Sequence, residues 1–382
     1  MTYPLRDGNR VDLLNSGAQF FPALLAAIDG AQQEVFLESY IYAEDETAAR
    51  VTAALAAAAR RGVAVRIMVD GFGARDMPDR YRAALAAAGA ELQVYRPPLW
   101  WEPVRGLRRM HRKITVIDQK LAFVGGINII DDWNTPHEVP PRYDYSVRIA
   151  GPLVFDVAGA TWHLWSIVSY AALRRRASRA TLPSPAPAGG VRARLLVRDN
   201  LAHRRDIEHA YLGAICGAQS SILLAMAYFL PSTQVYNALA AAARRGVKVR
   251  ILLQGPSDHA MLKRASEFLY RRLHLASIDV VEYRKSFLHA KVAVIDGAWA
   301  TVGSSNLDPF SLLLSREANV EIHDAAFATQ MEAQIDAAIR EGGEAITADT
   351  LSRFGWFVRL KQWASYRFAR GMIDWLNLAK KG

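Results

Sequence analysis

The sequence of 382 residues contains only one cysteine, so no disulfide can form within the chain. An apolar helical pattern surrounds this residue, Cys216, and predicts a small core side chain rather than a reactive thiol. The composition therefore fits a reducing compartment such as the cytosol.

Apolar runs that could span a membrane are also missing. The first ten residues are polar and lack the apolar centre of a signal peptide. Residues 210–243 carry no Asp, Glu, Lys or Arg, but polar residues and a proline interrupt them, which predicts helix, strand, loop and helix. Residues 157–173 reach only the lower limit of a span and contain His163, which favours a buried amphipathic helix. We therefore predict no transmembrane segment.

Motifs for metals and nucleotides are absent too. The sequence has no cluster of carboxylates, cysteines or histidines at metal-ligand spacing, and no Walker or Rossmann glycine motif. No metal or other cofactor is therefore predicted. Positive charge is in excess, because 47 Lys and Arg stand against 37 Asp and Glu, a net charge of +10. This charge favours an anionic partner, which could be nucleic acid, an acidic lipid surface or a phosphorylated substrate.

An internal repeat dominates the chain and predicts two domains of ordinary size. The segments AAARRGVAVRIMVDG (57–71) and AAARRGVKVRILLQG (241–255) are identical at 11 of 15 positions. In each, an Ala-rich helix ends at Arg-Arg-Gly, where glycine suits a C-terminal cap, and a strand rich in Val and Ile follows. Strands that alternate with helices predict an α/β layered sheet in each half.

Composition also divides the chain. Residues 173–194 are rich in Pro, Ala, Gly and Ser with scattered Arg, which is typical of a linker. We therefore predict a first domain at 1–172, a second domain at 195–345 and a tail at 346–382.

A polar motif follows the repeated strands in both halves. MHRKITVIDQKLAFVGGINI (110–129) and LHAKVAVIDGAWATVGSSNL (288–307) share His-x-Lys-x4-Asp and a later Gly-x-x-Asn. Strand alternation predicts that histidine and lysine share one face and that aspartate points away, holding the turn rather than doing chemistry. The motif residues are His111, Lys113, Asp118 and Asn128 in the first half and His289, Lys291, Asp296 and Asn306 in the second.

Two such motifs are better explained by function than by structure. A single His-x-Lys-x4-Asp arises by chance in a few per cent of chains of this length, at residue frequencies of roughly 2–6%. A purely structural duplication would preserve Val and Ile but has no need for a polar pair. Two imidazoles can divide one displacement at phosphorus into two steps, one as nucleophile and the other as proton donor. Two ammonium groups balance the charge on the phosphoryl oxygens, and the asparagine amides can bond a phosphate oxygen or orient a catalytic side chain.

Each half also offers a carboxylate that could orient an imidazole. Asp144 lies 33 residues after His111, and Glu317 lies 28 residues after His289. Both stand in strand-like stretches, where an isolated carboxylate is unusual. The alternative is an ordinary exposed carboxylate at a sheet edge.

These residues resemble the phospholipase D superfamily, whose signature is a tandem His-x-Lys-x4-Asp. The resemblance covers nearly the whole chain and is strongest to the bacterial cardiolipin synthases of the B type. It implies two tandem phospholipase D-like α/β/α sandwich domains related by pseudo-twofold symmetry, with the active site at their interface. The segments that carry it are RRMHRKITVID, FVGGIN, YDYSVRIAGP, LVRDN, AYFLP, LHAKVAVID, WATVGSSNLDPFSL and EANVEI.

The resemblance also implies a reaction, in which a phosphatidyl group passes from one phosphatidylglycerol to another and gives cardiolipin and glycerol. By position the resemblance makes His111 the nucleophile and His289 the acid and base, with Asp144 and Glu317 as orienting partners. Asn128 and Asn306 are the candidate substrate-binding residues, from the donor chemistry of their amides. The signature residues Lys113, Asp118, Lys291 and Asp296 complete the candidate catalytic set. Two alternatives within the superfamily are a phospholipase D that hydrolyses phospholipids and a metal-independent nuclease, and a third is a non-catalytic membrane-binding protein.

Two segments predict contact with lipid. The tail from Arg353 to Lys381 interleaves Trp, Phe and Tyr with basic residues, as in a helix that lies in an anionic bilayer interface. The alternative is a helix packed on the second domain. Trp100 and Trp101 lie in a proline-rich stretch before the first motif, which predicts a loop that dips into lipid or a packed lid. We expect peripheral attachment to the cytoplasmic face of the cell membrane, with no nucleic acid and no obligatory protein partner.

Overall fold

The computed structural model describes residues 3–96, 108–136, 139–171 and 184–378, with the backbone alone at 171 and 372–378. The first half runs from β1 to α4. Its strands are β1 Arg6–Asn15, β2 Glu34–Ser39, β3 Ala64–Asp70, β4 Glu91–Tyr95, β5 Ile114–Ile117, β6 Leu121–Gly125, β7 Arg142–Tyr143 and β8 Tyr145–Ala150. Its helices are α1 Ser16–Asp29, α2 Glu46–Arg60, α3 Asp79–Ala87 and α4 Leu153–Ala171.

The second half repeats this order and adds further elements at its end. Its strands are β9 Val191–Arg198, β10 Ser221–Met226, β11 Lys248–Gln254, β12 Asp279–Tyr283, β13 Phe287–Leu288, β14 Lys291–Ile295, β15 Trp299–Gly303, β16 Glu317–His323 and β17 Gly343–Ala345. Its helices are α5 Asp206–Gly217, α6 Thr233–Arg244, α7 Ala260–Leu275, α8 Pro309–Leu313, α9 Ala325–Gly342, α10 Ala348–Ser352 and α11 Trp356–Leu378.

One continuous sheet of 15 strands joins the two halves. Its order is β17-β12-β11-β10-β14-β15-β16-β9-β1-β8-β6-β5-β2-β3-β4, so the halves meet where β9 pairs antiparallel with β1. Reading outward from this junction, each half has the same succession of strands. The two outer strand pairs of each half, β2-β3-β4 and β10-β11-β12, are parallel, as expected from their helical crossovers. The arrangement is the predicted pair of α/β sandwich domains.

Local chemistry explains the repeated helices. Helix α2 begins at the cap Asp45, whose side chain accepts a hydrogen bond from the Ala48 amide at 2.8 Å. After Arg60 the chain turns at Gly62, which has a φ of +91°. This left-handed conformation suits glycine and confirms the helix end predicted from Arg-Arg-Gly. The corresponding glycine of the second half, Gly246, has a φ of +92°.

Helices cover both faces of the sheet. Helices α4 and α9 pack on one face, and together with strands of both halves they enclose a single core that crosses the junction. On the other face, α1, α2 and α3 cover the first half, and α5, α6 and α7 cover the second. Because one core crosses the junction, the two halves are held rigidly against each other at the place where their motifs meet.

Two details differ from the sequence predictions. Strand β9 begins at Val191, so the last four residues of the predicted linker, 191–194, belong to the sheet. Cys216 is exposed near the end of α5, and the prediction of a core residue was wrong. Helix α5 buries Ile207, Tyr211 and Ile215, so the residue immediately after Ile215 turns toward solvent. The helix predicted at 157–173 is present as α4, and it packs on the sheet.

Candidate active site

Each histidine motif lies at the start of a strand in the middle of the sheet of its own half. His111 and Lys113 occupy the extended segment just before β5, and His289 stands two residues before Lys291, the first residue of β14. Strands β5 and β14 pair antiparallel with β2 and β10, so the motifs lie at the carboxyl ends of those parallel strands. Ligand sites of open α/β sheets commonly occupy this edge.

Backbone hydrogen bonds tie each motif to the opposite half. The His111 amide donates to the Arg316 carbonyl at 2.9 Å, and the Arg316 amide donates to the Arg109 carbonyl at 2.7 Å. In the other direction the His289 amide donates to the Tyr143 carbonyl at 2.8 Å. Strand β7 of the first half pairs in parallel with β13 of the second, immediately before His289. The two motifs are thereby brought to one interface.

The orienting carboxylates are exchanged between the halves. His111 Nδ1 lies 3.0 Å from both carboxylate oxygens of Glu317, which is 206 residues away. His289 Nδ1 lies 2.6 Å from Asp144 Oδ2. A carboxylate accepts hydrogen bonds, so in the neutral ring Nδ1 carries the proton and Nε2 is the unprotonated nitrogen. Glu317 and Asp144 are 0% and 1% exposed, which excludes the alternative of exposed edge carboxylates.

Both lysines lie against their histidines. Lys113 Nζ donates to the His111 carbonyl at 2.7 Å, and Lys291 Nζ donates to the His289 carbonyl. Lys291 Nζ is also 2.8 Å from His289 Nδ1 and 3.6 Å from Asp144 Oδ2. Since Nδ1 donates its proton to Asp144, the ammonium group acts there as a close charge. Removing Lys291 would leave the buried Asp144 carboxylate without this nearby positive charge.

Burial dominates the electrostatics of the site. It lowers the pKa of Lys113 to about 7 and that of Lys291 to about 8. Burial also lowers the pKa of His111, although Glu317 acts in the opposite direction. The pKa of His289 falls well below its usual value, through burial and then through Lys291 and Arg142. These shifts favour neutral imidazoles with an unprotonated Nε2.

The glycine and asparagine of each motif shape the backbone around it. A Cβ on Gly125 would lie 2.4 Å from the Ser146 Cα, and one on Gly303 would lie 2.2 Å from Asn319 Oδ1, so neither position admits a side chain. Asn128 Oδ1 accepts from the Ile41 amide at 3.0 Å, while its buried Nδ2 has no protein partner among the described residues. Asn306 Oδ1 accepts from the Tyr228 amide at 3.2 Å.

The motif aspartates serve the fold instead. The Asp118 carboxylate accepts from the amides of Gln32, Gln33 and Glu34 at 2.7 to 2.9 Å and fixes the turn before β2. Asp296 accepts in the same way from three consecutive amides before and at the start of β10, those of residues 219–221. These contacts agree with the orientation expected from strand parity. Although both aspartates are among the candidate catalytic residues, we propose that they act in the fold, since their carboxylates accept the hydrogen bonds that hold these turns.

Four further residues belong to the site and were missed by the sequence analysis. The Tyr40 ring meets the His111 ring edge-on at 4.9 Å, and Lys113 Nζ lies 5.3 Å from the centre of the same Tyr40 ring. Ser304 donates to Glu317, and the Asp70 carboxylate accepts from the Met110 amide at 2.8 Å.

The fourth is Arg142. It is 5% exposed, lies over the Phe287 ring at 4.9 Å and has a buried Nε without a protein partner among the described residues. Its place two residues before Asp144 was the only signal available in the sequence.

Comparisons with known proteins agree with this geometry. The family model described as cardiolipin synthase, PLD-like domain, matches residues 24–138 and 211–339. Proteins named cardiolipin synthase B from Shigella flexneri and Escherichia coli are 38% and 37% identical over 378 residues, spanning 97% of this chain and 91% of theirs. The chain belongs to the cardiolipin synthase family. Both the predicted superfamily and the predicted enzyme class, a phosphatidyltransferase of the phospholipase D superfamily, are confirmed.

A solved structure supports the fold of this cardiolipin synthase family member. The crystal structure of phosphatidylserine synthase from Haemophilus influenzae superposes with a TM-score of 0.69, covering 97% of this chain and 94% of that one at 15% identity. At that identity the likeness speaks for the fold alone.

In the described ranges of this family member, no helix combines the length and apolar character needed to cross a bilayer. The predicted loop with Trp100 and Trp101 lies outside the described residues.

Proposed function

We propose that this protein joins two phosphatidylglycerol molecules into cardiolipin and free glycerol. The observation that carries the proposal is the exchange of carboxylates, which presents two imidazoles from opposite halves with Nε2 free. One phosphodiester between them can be attacked from one side while its leaving oxygen is protonated from the other. Family membership supports the phosphatidyl group as the part transferred.

In the first step His111 Nε2 attacks the phosphorus of the donor lipid. A P–N bond forms, the bond between phosphorus and the glycerol headgroup oxygen breaks, and His289 gives that oxygen its proton. Glu317 stabilises the positive charge that develops on the His111 ring. Lys113, Lys291 and the free Nδ2 of Asn128 are suited to bind the non-bridging oxygens, whose charge they balance.

In the second step His289, now neutral, takes a proton from a glycerol hydroxyl of the second phosphatidylglycerol. That oxygen attacks phosphorus, the P–N bond breaks, and His111 returns to its starting state. Two molecules of phosphatidylglycerol thus give one cardiolipin and one glycerol.

The depressed pKa of His289 places a condition on this order. A ring whose neutral form is favoured has to gain a proton before it can act as an acid. Binding of the anionic phosphodiester allows this protonation, because its charge offsets those of Lys291 and Arg142 and raises the pKa of the His289 ring. We propose further that the protein works attached to the surface of the cell membrane on its cytoplasmic side, where both lipid substrates lie.

The decisive experiment incubates purified protein with phosphatidylglycerol vesicles in EDTA and quantifies cardiolipin, glycerol and phosphatidic acid. His111→Ala and His289→Ala run beside it, with His209→Ala as the control because His209 is exposed on α5. Cardiolipin and glycerol in equal amounts, lost only in the two site variants, support the proposal. Phosphatidic acid alone makes the protein a hydrolase, and no lipid turnover directs the search to nucleic acid.

The order of the histidines has its own test. Phosphatidylglycerol labelled in its phosphate is mixed with His289→Ala, quenched at alkaline pH and digested, because phosphohistidine is labile in acid. Label on the peptide containing His111 supports the assignment. Label on the peptide containing His289, found in His111→Ala instead, reverses it.

A further inference from the structure

Helix α11 lies against the second half through a narrow strip of its surface. Gln362 is 4% exposed and donates to Glu267 of α7 at 3.1 Å. The Tyr366 ring lies 4.7 Å from the Phe268 ring, and Ala369 is fully buried. These contacts fix which side of the helix faces the protein.

The opposite side of α11 presents large apolar residues to solvent. At about 100° per residue, the positions of Gln362 and Ala369 define one face, and five large apolar side chains fall on the other. Their exposed fractions are 77% for Trp356, 52% for Phe357, 48% for Leu360, 49% for Trp363 and 63% for Phe368. We call these five residues the outer face of α11. A soluble surface rarely collects so many exposed aromatic side chains on one side of one helix.

The charge around the outer face has one sign. Between Asp349 and Asp374 the sequence has five basic residues and no acidic one. Lys361 and Arg367 are exposed beside the outer face, and Lys361 Nζ lies 4.3 Å from the centre of the Phe357 ring. Aromatic residues flanked by cations are the composition of helices that bind at the interface of anionic bilayers.

Helix α11 also contacts a segment next to the candidate active site. Arg370 Nη2 donates to the Pro231 carbonyl at 3.0 Å. Pro231 lies three residues after Tyr228, whose amide bonds the motif residue Asn306. Pro231 belongs to the segment between β10 and α6, which follows the carboxyl end of β10, so α11 contacts the edge of the sheet where both motifs lie.

We infer that the outer face of α11 docks the protein on an anionic phospholipid bilayer and holds the active site at its surface. The inference rests on the proposed function for the nature of the substrate, but the docking itself is measured without turnover. The packed strip and the outer face together account for both alternatives that the sequence left open for the tail. One side of the helix packs on the second domain, and the opposite side faces outward.

Vesicle flotation provides the direct test. Wild type is expected to float with vesicles of phosphatidylglycerol and phosphatidylcholine, and much less with phosphatidylcholine alone. The triple variant Trp356→Ser, Phe357→Ser, Trp363→Ser should need at least about tenfold more lipid for half-maximal flotation. Lys361→Glu with Arg367→Glu should lose the preference for anionic vesicles.

Matched controls use exposed residues away from α11. Tyr170→Ser removes an aromatic side chain that is 71% exposed on α4, and Lys120→Glu reverses a charge on the turn between β5 and β6. Both should float as wild type does. His111→Ala should also float normally but turn over no lipid, which separates failure of the docking from failure of the proposed reaction.

Activity on detergent-dispersed phosphatidylglycerol completes the test. The triple variant should retain it while losing activity on vesicles, because dispersed lipid needs no bilayer docking. Flotation of the triple variant equal to wild type would overturn the inference. A dimer that dissociates in the triple variant, with flotation unchanged, would assign the outer face to a second copy of the chain.

Discussion

His111 of the first half is oriented by Glu317 of the second, with Nδ1 3.0 Å from both carboxylate oxygens. In the same way, His289 of the second half is oriented by Asp144 of the first, with Nδ1 2.6 Å from Oδ2. Each histidine–carboxylate pair therefore exists only when both halves are docked. The single core that crosses the junction between β9 and β1 supplies the rigidity that this exchange requires.

Neutralising the orienting carboxylates should slow the reaction without weakening lipid binding. Glu317→Gln and Asp144→Asn are each expected to lower kcat about 10²- to 10⁴-fold at little changed KM, because an amide no longer enforces the Nδ1–H tautomer. Glu321→Gln is the matched control, since Glu321 is buried on the same strand but bonds Arg194 and His323 instead. A rate in Glu317→Gln equal to that of the control would contradict the assigned role.

The same variant should change the titration of one histidine only. Glu317 raises the pKa of His111, so Glu317→Gln should lower it further and leave that of His289 almost unchanged. Ring resonances of labelled histidine, assigned with His111→Gln, follow both pKa values by NMR. A shift confined to His289 would show that the pairing in solution is not exchanged.

The pKa values of the two lysines predict a basic limb in the pH profile of kcat/KM. Lys113 and Lys291 lose their protons as pH rises through about 7 and about 8 in the free enzyme, so kcat/KM should fall across that range. A bound phosphodiester stabilises the ammonium forms, so the fall in kcat should occur at higher pH. Lys113→Arg should remove the step near pH 7 because a guanidinium stays charged. Lys120→Arg serves as the control, and an unchanged step in Lys113→Arg would contradict the role of Lys113.

The residue after the motif glycine should distinguish the halves. A Cβ on Gly126 would lie 2.3 Å from Asp144 Oδ1, so Gly126→Ala should displace that carboxylate and lower kcat at least about 100-fold. The corresponding Ser304 donates to Glu317 and accepts from the Ala318 amide, so Ser304→Ala should lower kcat about tenfold, the lower end of the range for one hydrogen bond to a charged group. Steady-state kinetics measure both values of kcat. Equal losses in the two variants would contradict this difference between the surroundings of Asp144 and Glu317.

The motif aspartates should affect stability more than chemistry. Asp118→Ala leaves three amides at the turn before β2 without their acceptor, and the free energy of unfolding should fall by about 2–4 kcal/mol. The kcat per folded molecule should change less than about threefold. Asp7→Ala is the control, because its carboxylate is 81% exposed and denaturant curves should move by less than about 0.5 kcal/mol. A large loss of kcat at unchanged stability would return Asp118 to the catalytic residues.

Many features of this protein can be predicted from its local sequence. The duplication, the Arg-Arg-Gly helix ends, the strands around them and the His-x-Lys pairs follow from periodicity and residue type, which act over a few residues. The turn-holding orientation of Asp118 and Asp296 followed from strand parity. Even the two carboxylates of the site could be picked out, since charged residues are unusual in strands.

Tertiary structure decided the partnerships between distant residues. No spacing rule pairs His111 with Glu317 across 206 residues, because the pairing depends on how two finished domains dock. Tyr40 and Arg142 likewise reach the site through packing and not through a motif. The orientation of α11 and the exposure of Cys216 depend on which side of each helix packs against the rest of the protein. The sequence alone determined the elements and the chemistry they carry, while long-range packing determined which of these groups meet.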